Sequence, residues 1–287
     1  MPVVNFPYID AEIEHMANGG EPPGYWRHFH WGLFADPAVE DDTPERYFAA
    51  GEDMTERIVA AAGVTDGSRV LDVGCGFGGT LDHVGARNRG CRLAGLNIDE
   101  RQLRHARRLL ARDGRAPGGP PPFLAGDGCA LPVATGSHDH VLAVECVFHF
   151  PSRKAFFREA ARILRPGGTL ALSDFLLAPG SIGQVNANVN QLGLGPWFGR
   201  SSTPLTPAGY ARLGRSVGLD LLADEDVTAR TLPTYPALRR LYRESGAEDG
   251  VATIDGCEAL ARAGGWEYHV LAFRRRGAAR PDTGERP

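Results

Sequence analysis

A chain of 287 residues with a formal net charge of −4 at pH 7 lacks the basic excess of nucleic-acid-binding domains, so no nucleic-acid partner is expected. No apolar run reaches the roughly 18 residues of a membrane helix, and no signal-peptide pattern is present, so no membrane partner is expected. The composition, 43% hydrophobic and 23% charged, is that of an ordinary globular protein, and five scattered cysteines favour a reduced, cytoplasmic compartment.

Residues 1–50 precede the first predicted strand and are rich in aromatic and acidic residues. We expect this N-terminal segment to form a cap, with Tyr25 and Trp31 facing a bound substrate. Apolar residues then recur at helical spacing from Met54 to Ala62, which predicts a helix before the first strand.

A glycine-rich turn directly follows the first predicted strand, Arg69–Val73. At Gly74, Gly76 and Gly78 a ligand such as an adenosine can lie against the main chain, because glycine has no Cβ. Asp72, two residues before the first glycine, would repel a pyrophosphate but would attract an ammonium or sulfonium group. The turn therefore predicts a nucleoside-like ligand that carries a positive charge.

The same turn also fits the dinucleotide-binding pattern G-x-G-x-x-G through Gly74, Gly76 and Gly79, so a nicotinamide- or flavin-dependent dehydrogenase is an alternative. That class uses an acid about 20 residues further on to bind the ribose. Asp99 lies there by count, but at a position expected to cap the next helix, whereas Asn97 is nearer the strand end.

Strands and helices alternate through the rest of the chain, which predicts an α/β fold: a Rossmann-like, doubly wound, mostly parallel sheet with helices on both faces. The alternation breaks after residue 179, where a Gly-, Asn-, Ser- and Pro-rich stretch containing Trp197 predicts a second cap over the carboxyl ends of the strands. The predicted units are the N-terminal cap (1–50), the core (51–179), the cap insertion (180–207), the completion of the core (208–273) and a disordered tail (274–287).

Three ordered motifs resemble those of class I S-adenosylmethionine-dependent methyltransferases: Val70–Gly78, Phe123–Asp127 and the turn Pro166–Gly168 before the fifth strand. The resemblance covers roughly Met54 to Phe175 and implies S-adenosyl-L-methionine as cofactor. The segment Gly95–Gln102 resembles cyclopropane synthases, sterol-type and natural-product methyltransferases.

The resemblance assigns cofactor contacts residue by residue. Many members hold the ribose with an acid at the second strand end, and this chain has Asn97 there instead, which implies that Asn97 and Gln102 share the ribose. The full expected set is Asp72 at the amino group, Gly74, Gly76 and Gly78 at the methionine part, Asn97 and Gln102 at the ribose, and Asp127 and Gly128 at the adenine.

Four candidate residues for the acceptor side follow the fourth and fifth strands, where α/β sheets place their ligands. His149 can take a proton from an acceptor hydroxyl near neutral pH, and Phe148 is expected to line the substrate pocket. Asp174 is expected beside His149, orienting the imidazole, an arrangement that resembles rebeccamycin-type sugar O-methyltransferases. Glu145 is a third catalytic candidate, able to stabilise a transient cation.

The sequence predicts methyl transfer to a small, natural-product-like molecule, with oxygen favoured as the acceptor atom. Methylation of carbon or nitrogen on an electron-rich ring is left open, as are a dehydrogenase and a non-catalytic binding protein. We expect no metal, since no metal-ligand spacing such as HxxxH occurs. These patterns leave the oligomeric state open, and a homodimer is among the assemblies that they allow.

Overall fold

The computed structural model describes residues 6–18, 24–39, 41–181, 197–199, 202 and 204–277. Within them the helices and strands are, in chain order, α1 (Pro7–Ala17), α2 (Pro44–Ala62), β1 (Arg69–Val73), α3 (Gly79–Arg87), β2 (Arg92–Asn97), α4 (Glu100–Asp113), β3 (Phe123–Ala125), β4 (His138–Val144), α5 (Arg153–Ile163), β5 (Leu164–Leu177), α6 (Pro207–Ser216), β6 (Leu219–Asp226), α7 (Thr228–Thr231), α8 (Thr234–Ser245), α9 (Glu248–Arg262) and β7 (Trp266–Arg275). Short 3₁₀ helices cover Gly24–Arg27 and Val147–His149.

The seven strands form one sheet in the order β3-β2-β1-β4-β5-β7-β6. Strands β1 to β5 pair in parallel, and β7 runs antiparallel to both β5 and β6. The predicted Rossmann-like, mostly parallel sheet is confirmed. The strand order reverses between β1 and β4, and open α/β sheets bind ligands in the crevice at the carboxyl ends of such strands.

The central strands are buried on both faces, as a parallel sheet between helices requires. Val70, Leu71 and Val73 in β1 are 0% exposed, and so are the apolar residues facing them from β4. This continuous apolar run fixes β1 in the middle of the sheet. Among the described residues, no helix has the length and the apolar character needed to cross a membrane.

Helix α2 begins ten residues before the helix predicted at Met54. Pro44 occupies its first turn, and the sequence pattern missed this part because Gly51 interrupts it. The glycine has a packing reason: a Cβ there would lie 2.8 Å from the His28 Cβ. The chain around His28 therefore packs directly on α2, while Trp31 and Phe34 join the hydrophobic core.

Several element ends differ from the sequence prediction. Strand β5 runs through Pro166–Gly168 instead of starting after it, and β7 continues through Arg275, so residue 274 does not begin a disordered tail. The sequence also predicts a helix over Ala237–Ala263 that is interrupted around Gly246–Gly250, and the structure has two helices there, separated at Gly246, which adopts a left-handed conformation with φ 75°. Most of the predicted insertion (182–196, 200, 201 and 203) and residues 278–287 lie outside the described residues.

A buried ion pair joins α5, β5 and α6 below the crevice. The Asp174 carboxylate, 0% exposed, accepts hydrogen bonds from Arg153 Nη2 at 3.1 Å and from the Tyr210 hydroxyl. Burial raises the pKa of Asp174, and the positive charge of Arg153 opposes that rise. Arg153 also donates to Ser202 Oγ at 2.5 Å, which ties the chain before α6 to the same cluster.

We predict that Arg153→Leu lowers the free energy of unfolding by about 3–5 kcal/mol, because it leaves the Asp174 carboxylate buried without its cation. Urea unfolding at pH 7.5 measures the change. The matched control is Arg165→Leu, which breaks the half-exposed pair with Asp139 and should cost less than about 1 kcal/mol. Equal losses in the two variants would contradict the structural role of the buried pair.

Candidate active site

The glycine turn after β1 adopts backbone angles that favour glycine. Gly74, Gly76 and Gly78 have φ values of 79°, 50° and 86°, in the left-handed region. A Cβ on Gly74 would also lie 2.6 Å from the Sγ of Cys146, in the turn after β4. The two turns are therefore in direct contact, so a ligand on the glycine turn lies beside the chain that follows β4.

Asp72 is a buried carboxylate without a hydrogen-bond donor. The residue is 1% exposed, and none of the described residues donates to either of its carboxylate oxygens. Burial raises the pKa of Asp72 to about 7. An uncompensated buried carboxylate is costly, and a cationic group beside it would remove that cost. This site fits the ammonium group of S-adenosylmethionine, as the sequence interpretation required.

Asn97 and Gln102 meet at the end of β2. The Asn97 Nδ2 donates to the Gln102 Oε1 at 2.7 Å, and the two residues are 7% and 6% exposed. Asp99 caps α4 by accepting from the Arg101 amide at 2.8 Å, and it also binds the Arg101 guanidinium. The Asp99 carboxylate is thus already bound to the first turn of α4. This argues against the ribose-binding role that Asp99 would have in a dehydrogenase.

Asp127 and Gly128 follow β3 at the same edge of the sheet. The Asp127 Oδ1 accepts from the Cys129 amide at 2.8 Å and closes a tight turn. A Cβ on Gly128 would lie 3.0 Å from the Phe150 ring and 3.1 Å from the Val73 side chain, so the close approach selects glycine. The structure brings this pair to the crevice shared with Asp72 and the glycine turn.

Glu145 adopts a strained backbone conformation at the end of β4. Its φ of 47° is rare for a residue with a side chain, and such strain often accompanies function. Its Oε2 accepts from the Trp31 amide at 2.8 Å and from the Tyr268 hydroxyl. Burial raises the pKa of Glu145 to about 8, so this carboxyl holds a proton over much of the neutral range.

Aromatic rings surround the position of Glu145. Trp31 packs edge-on against Phe175, with ring centroids 5.1 Å apart, and Phe148 lies 5.9 Å from the same ring. The other rings of this aromatic group are Tyr8, Phe29, Phe198, Tyr235, Trp266 and Tyr268. Aromatic side chains beside a ligand site favour an apolar ligand held by few polar groups.

Two residues predicted to face the substrate are not placed there by the structure. Trp197 is 9% exposed and packs edge-on against Tyr242 of α8 at 5.5 Å, and none of its described ring contacts joins it to the aromatic group. Tyr25 lies in the 3₁₀ helix Gly24–Arg27, and its side chain is outside the described residues. Trp31 and Phe148 do join the aromatic group.

His149 lies in the 3₁₀ turn after β4, half-buried between rings. Its Nε2 is 3.1 Å from the Tyr8 hydroxyl, and the Phe6 ring centroid is 4.5 Å from the imidazole. The structure therefore places a titratable base inside the aromatic group. Its neighbour Cys146 is the residue in contact with Gly74.

Asp174 requires a correction, because the sequence analysis placed it beside His149. All the described hydrogen bonds of its carboxylate come from Arg153, Tyr210 and the Phe175 amide. Arg153 from α5 and Tyr210 from α6 both reach Asp174 near the end of β5. Because a fully buried carboxylate is stabilised most by an adjacent cation, Arg153 is the partner that the packing favours. Asp174 therefore has a structural explanation that does not involve the imidazole.

Sequence reasoning missed Tyr8, Phe175 and Tyr268. Tyr268 belongs to a run of buried residues in β7, so burial in a strand explains it without any site. Phe175 follows Asp174 within one long strand, and nothing in the sequence marked its ring as part of the aromatic group. No sequence pattern pointed to Tyr8 as a site residue, because only the docking of α1 brings it within reach of the residues after β4.

One group of possible metal ligands exists among the described residues: His28, Glu52 and His83, whose ligand atoms lie within 4.8 Å of one another. Arg115 also binds Glu52, with its Nη1 2.6 Å from the carboxylate. This guanidinium supplies the positive charge that a metal would bring. The expectation of no metal stays a prediction.

Comparison with known proteins gives one family and several relatives. Residues 71–172 match the family model described as a methyltransferase domain. The methyltransferase GfsG of Streptomyces halstedii is 36% identical over 209 residues, covering 73% of this chain and 72% of the relative. The 27-O-demethylrifamycin SV methyltransferase of Amycolatopsis mediterranei (strain S699) is 31% identical over 210 residues, covering 71% of this chain and 73% of the relative.

A solved structure agrees with the fold over nearly the whole chain. The putative sarcosine dimethylglycine methyltransferase from Galdieria sulphuraria superposes with a TM-score of 0.74 and 19% identity, covering 93% of this chain and 98% of that protein. At this identity the similarity concerns the fold, and the reaction must be argued from the site.

We predict that Asn97→Ala and Gln102→Ala each weaken S-adenosylhomocysteine binding by about 1–3 kcal/mol, because each would leave a ribose hydroxyl without its partner. Isothermal titration calorimetry measures the change. Arg104→Ala, on the exposed face of α4, is the control and should bind like the parent. Unchanged affinity in both site variants would mean that the ribose is held elsewhere.

We also predict that S-adenosylhomocysteine affinity falls as the pH is lowered below about 7. Asp72 must be ionised to pair with the ligand ammonium, and its raised pKa means that it is protonated below that pH. The dissociation constant should increase by up to about tenfold per pH unit. Calorimetry between pH 5.5 and 8 tests this, and Asp72→Asn should bind weakly without that pH dependence. An equally steep dependence in Asp72→Asn would assign the titration to another group.

Proposed function

This chain belongs to the class I S-adenosylmethionine-dependent methyltransferases, and we propose that it methylates a hydroxyl oxygen of a small, largely apolar molecule, with His149 as general base. S-adenosylmethionine supplies a methyl group on a positively charged sulfur, open to attack by the acceptor atom. The chain is an enzyme that transfers this methyl group to small-molecule acceptors. The acceptor oxygen and the role of His149 are the parts that we propose.

The position of His149 carries this proposal. The imidazole lies within the aromatic group, in the turn whose Cys146 contacts Gly74. A base at this place is close both to the cofactor turn and to an acceptor held between the rings. Histidine changes charge near neutral pH, so it can take the hydroxyl proton and release it to solvent.

The cofactor-side residues are proposed to bind and orient. Asp72 pairs with the ammonium group, and the glycine turn accommodates the methionine part against its main chain. Asn97 and Gln102 exchange their mutual hydrogen bond for bonds to the ribose hydroxyls, and Asp127 with Gly128 meets the adenine. Holding the cofactor and the acceptor in line supplies much of the rate enhancement in a reaction of this kind.

The aromatic group supports an acceptor with a large apolar surface. Rings from the N-terminal segment, β5, β7 and α8 meet there, with Glu145 among them as a polar group. Natural products with ring systems and a few hydroxyls have that character. The relative named for a 27-O-demethylrifamycin substrate supports oxygen as the acceptor atom.

Methylation of carbon is the second candidate, and Glu145 is the observation that favours it. Attack by a ring or alkene carbon creates a cation, which a carboxylate and aromatic faces can stabilise. Glu145 has both a carboxylate and surrounding rings, but its pKa of about 8 leaves it largely neutral at pH 7. A neutral carboxyl stabilises a cation poorly, so oxygen is preferred.

A cytoplasmic location and a role in natural-product biosynthesis belong to the same proposal. All five cysteines are free thiols, and three of them are buried, which suits a reducing compartment. The similarity to the 27-O-demethylrifamycin SV methyltransferase supports an acceptor from secondary metabolism.

We predict that His149→Ala lowers the single-turnover methyl-transfer rate by roughly 10²–10⁴, while the affinity for S-adenosylhomocysteine stays near that of the parent. In the parent, the rate should fall as the pH is lowered, because a protonated imidazole cannot accept the hydroxyl proton. Rapid quench with radiolabelled S-adenosylmethionine measures the rate, once an acceptor is found by screening for a gain of one methyl group in mass.

The control for this experiment is His138→Ala, at the amino end of β4 and thus at the opposite edge of the sheet. It should retain the parental rate and the parental pH profile. A His149→Ala rate close to that of the parent across the pH range would reject the base role. Carbon or nitrogen methylation without a base would then explain the site better.

A further inference from the structure

We infer that Tyr8 is a positioning residue for His149, which fixes the imidazole through a hydrogen bond supplied by the N-terminal helix α1. The inference rests on the proposed role of His149 as base. Tyr8 Oη and His149 Nε2 are 3.1 Å apart, between residues separated by 141 positions in the chain. The contact therefore exists only when α1 is docked beside the turn after β4.

The imidazole of His149 is enclosed by three rings. The ring centroids of Phe148, Phe6 and Tyr8 lie 4.2, 4.5 and 6.0 Å away. The Tyr8 ring is nearly parallel to the imidazole, at 18°. The second torsion of histidine is roughly two-fold, and the two flipped orientations of the ring fill nearly the same space. A directional hydrogen bond to Nε2 selects one orientation.

Tyr8 is itself held in place by aromatic contacts. Its ring stacks on Phe29 at 5.6 Å and 14°, and it meets Phe198 edge-on at the same distance. Phe29 in turn meets Phe77 of the glycine turn edge-on at 6.3 Å. A continuous series of ring contacts therefore leads from the glycine turn, through Phe29 and Tyr8, to His149.

The other face of α1 is anchored near the residues proposed to bind the ribose. Asp10 pairs with Arg101 Nη2 at 2.6 Å, and Arg101 also binds Asp99, the residue that caps α4. Gln102 is the next residue of α4. Helix α1 thus bridges the cofactor side and the acceptor side, and its docking places the Tyr8 hydroxyl at a defined point.

The hydroxyl of Tyr8 stays protonated in this environment. Burial raises its pKa, and the nearby Glu145 and Cys146 raise it further. A neutral imidazole has one N–H and one lone pair, so for Nδ1 to accept the acceptor proton the ring hydrogen must sit on Nε2 and be donated to the Tyr8 oxygen. This hydrogen bond becomes stronger when the imidazole is positively charged. Tyr8 therefore stabilises His149 most when the imidazole has just accepted the acceptor proton, before that proton passes to solvent.

The decisive variant is Tyr8→Phe, which removes the hydroxyl and keeps the ring. We expect the single-turnover rate to fall by about tenfold, since misorientation of a base by a fraction of an ångström is costly. The acid limb of the rate profile should move to lower pH by about half a unit to one unit, because the protonated imidazole loses the stronger bond. S-adenosylhomocysteine affinity should change by less than about twofold.

The imidazole can also be followed without catalysis. In ¹H–¹⁵N spectra of the ligand-free protein, the His149 resonances are assigned by their absence in His149→Ala. Tyr8→Phe should move the titration of those resonances to lower pH in the same direction as the rate profile. Tyr47→Phe, which removes a buried hydroxyl that donates to the His30 carbonyl at 2.9 Å, is the matched control and should leave the titration unchanged.

A double-variant cycle separates positioning from general destabilisation. In a His149→Ala background, adding Tyr8→Phe should cause no further loss of rate, because Tyr8 acts through the imidazole. An unshifted titration in Tyr8→Phe, or a full additional loss in that background, would overturn the inference. A shifted titration with a rate independent of His149 would keep the Tyr8 contact and reject the proposed base.

Discussion

Direct contact between two turns, at Gly74 after β1 and Cys146 after β4, is the constraint on which the site depends. A Cβ on Gly74 would overlap the Cys146 side chain, and the Cys146 thiol donates to the Val73 carbonyl at 3.1 Å. The two strands are neighbours, so their turns leave the sheet at the same edge. The residues proposed for the cofactor and for the acceptor therefore share one crevice.

Two buried carboxyl groups lie in this crevice, and they differ in what they can bind. Asp72 and Glu145 are both carboxyl groups whose pKa is raised by burial, to about 7 and about 8. Asp72 has no described donor, whereas Glu145 is bound by the Trp31 amide and the Tyr268 hydroxyl. The first is thus suited to pair with a positive ligand group, whereas the second is already bound by groups of the protein itself.

The N-terminal segment contacts the same end of the sheet that carries the proposed site residues. Arg27 pairs with Asp82 of α3, and the main chain at Arg27 passes so close to Gly79 that a Cβ there would overlap it. Trp31 binds Glu145, and Tyr8 binds His149. The segment therefore packs over the end of the sheet, on the side where the proposed site residues lie.

The sequence by itself determined the strands, the glycine turn and the polar residues at the strand ends, because these depend on local patterns of two kinds. A buried parallel strand needs a continuous apolar run, and a tight turn against a ligand needs glycine. Where strands and helices alternate, parallel pairing brings the carboxyl ends of the parallel strands to one edge of the sheet. The residues Asp72, Asn97, Asp127 and Glu145 could therefore be assigned to one crevice without coordinates.

Only the tertiary structure decided which of those residues touch. Asp174 was expected at His149, but Arg153 and Tyr210 come from helices whose orientation no local pattern records, and a buried carboxylate is bound by the cation that packing delivers. Tyr8 reached His149 in the same way, across 141 positions of the chain. Partners that are far apart in sequence are selected by packing, and packing is a property of the whole folded chain.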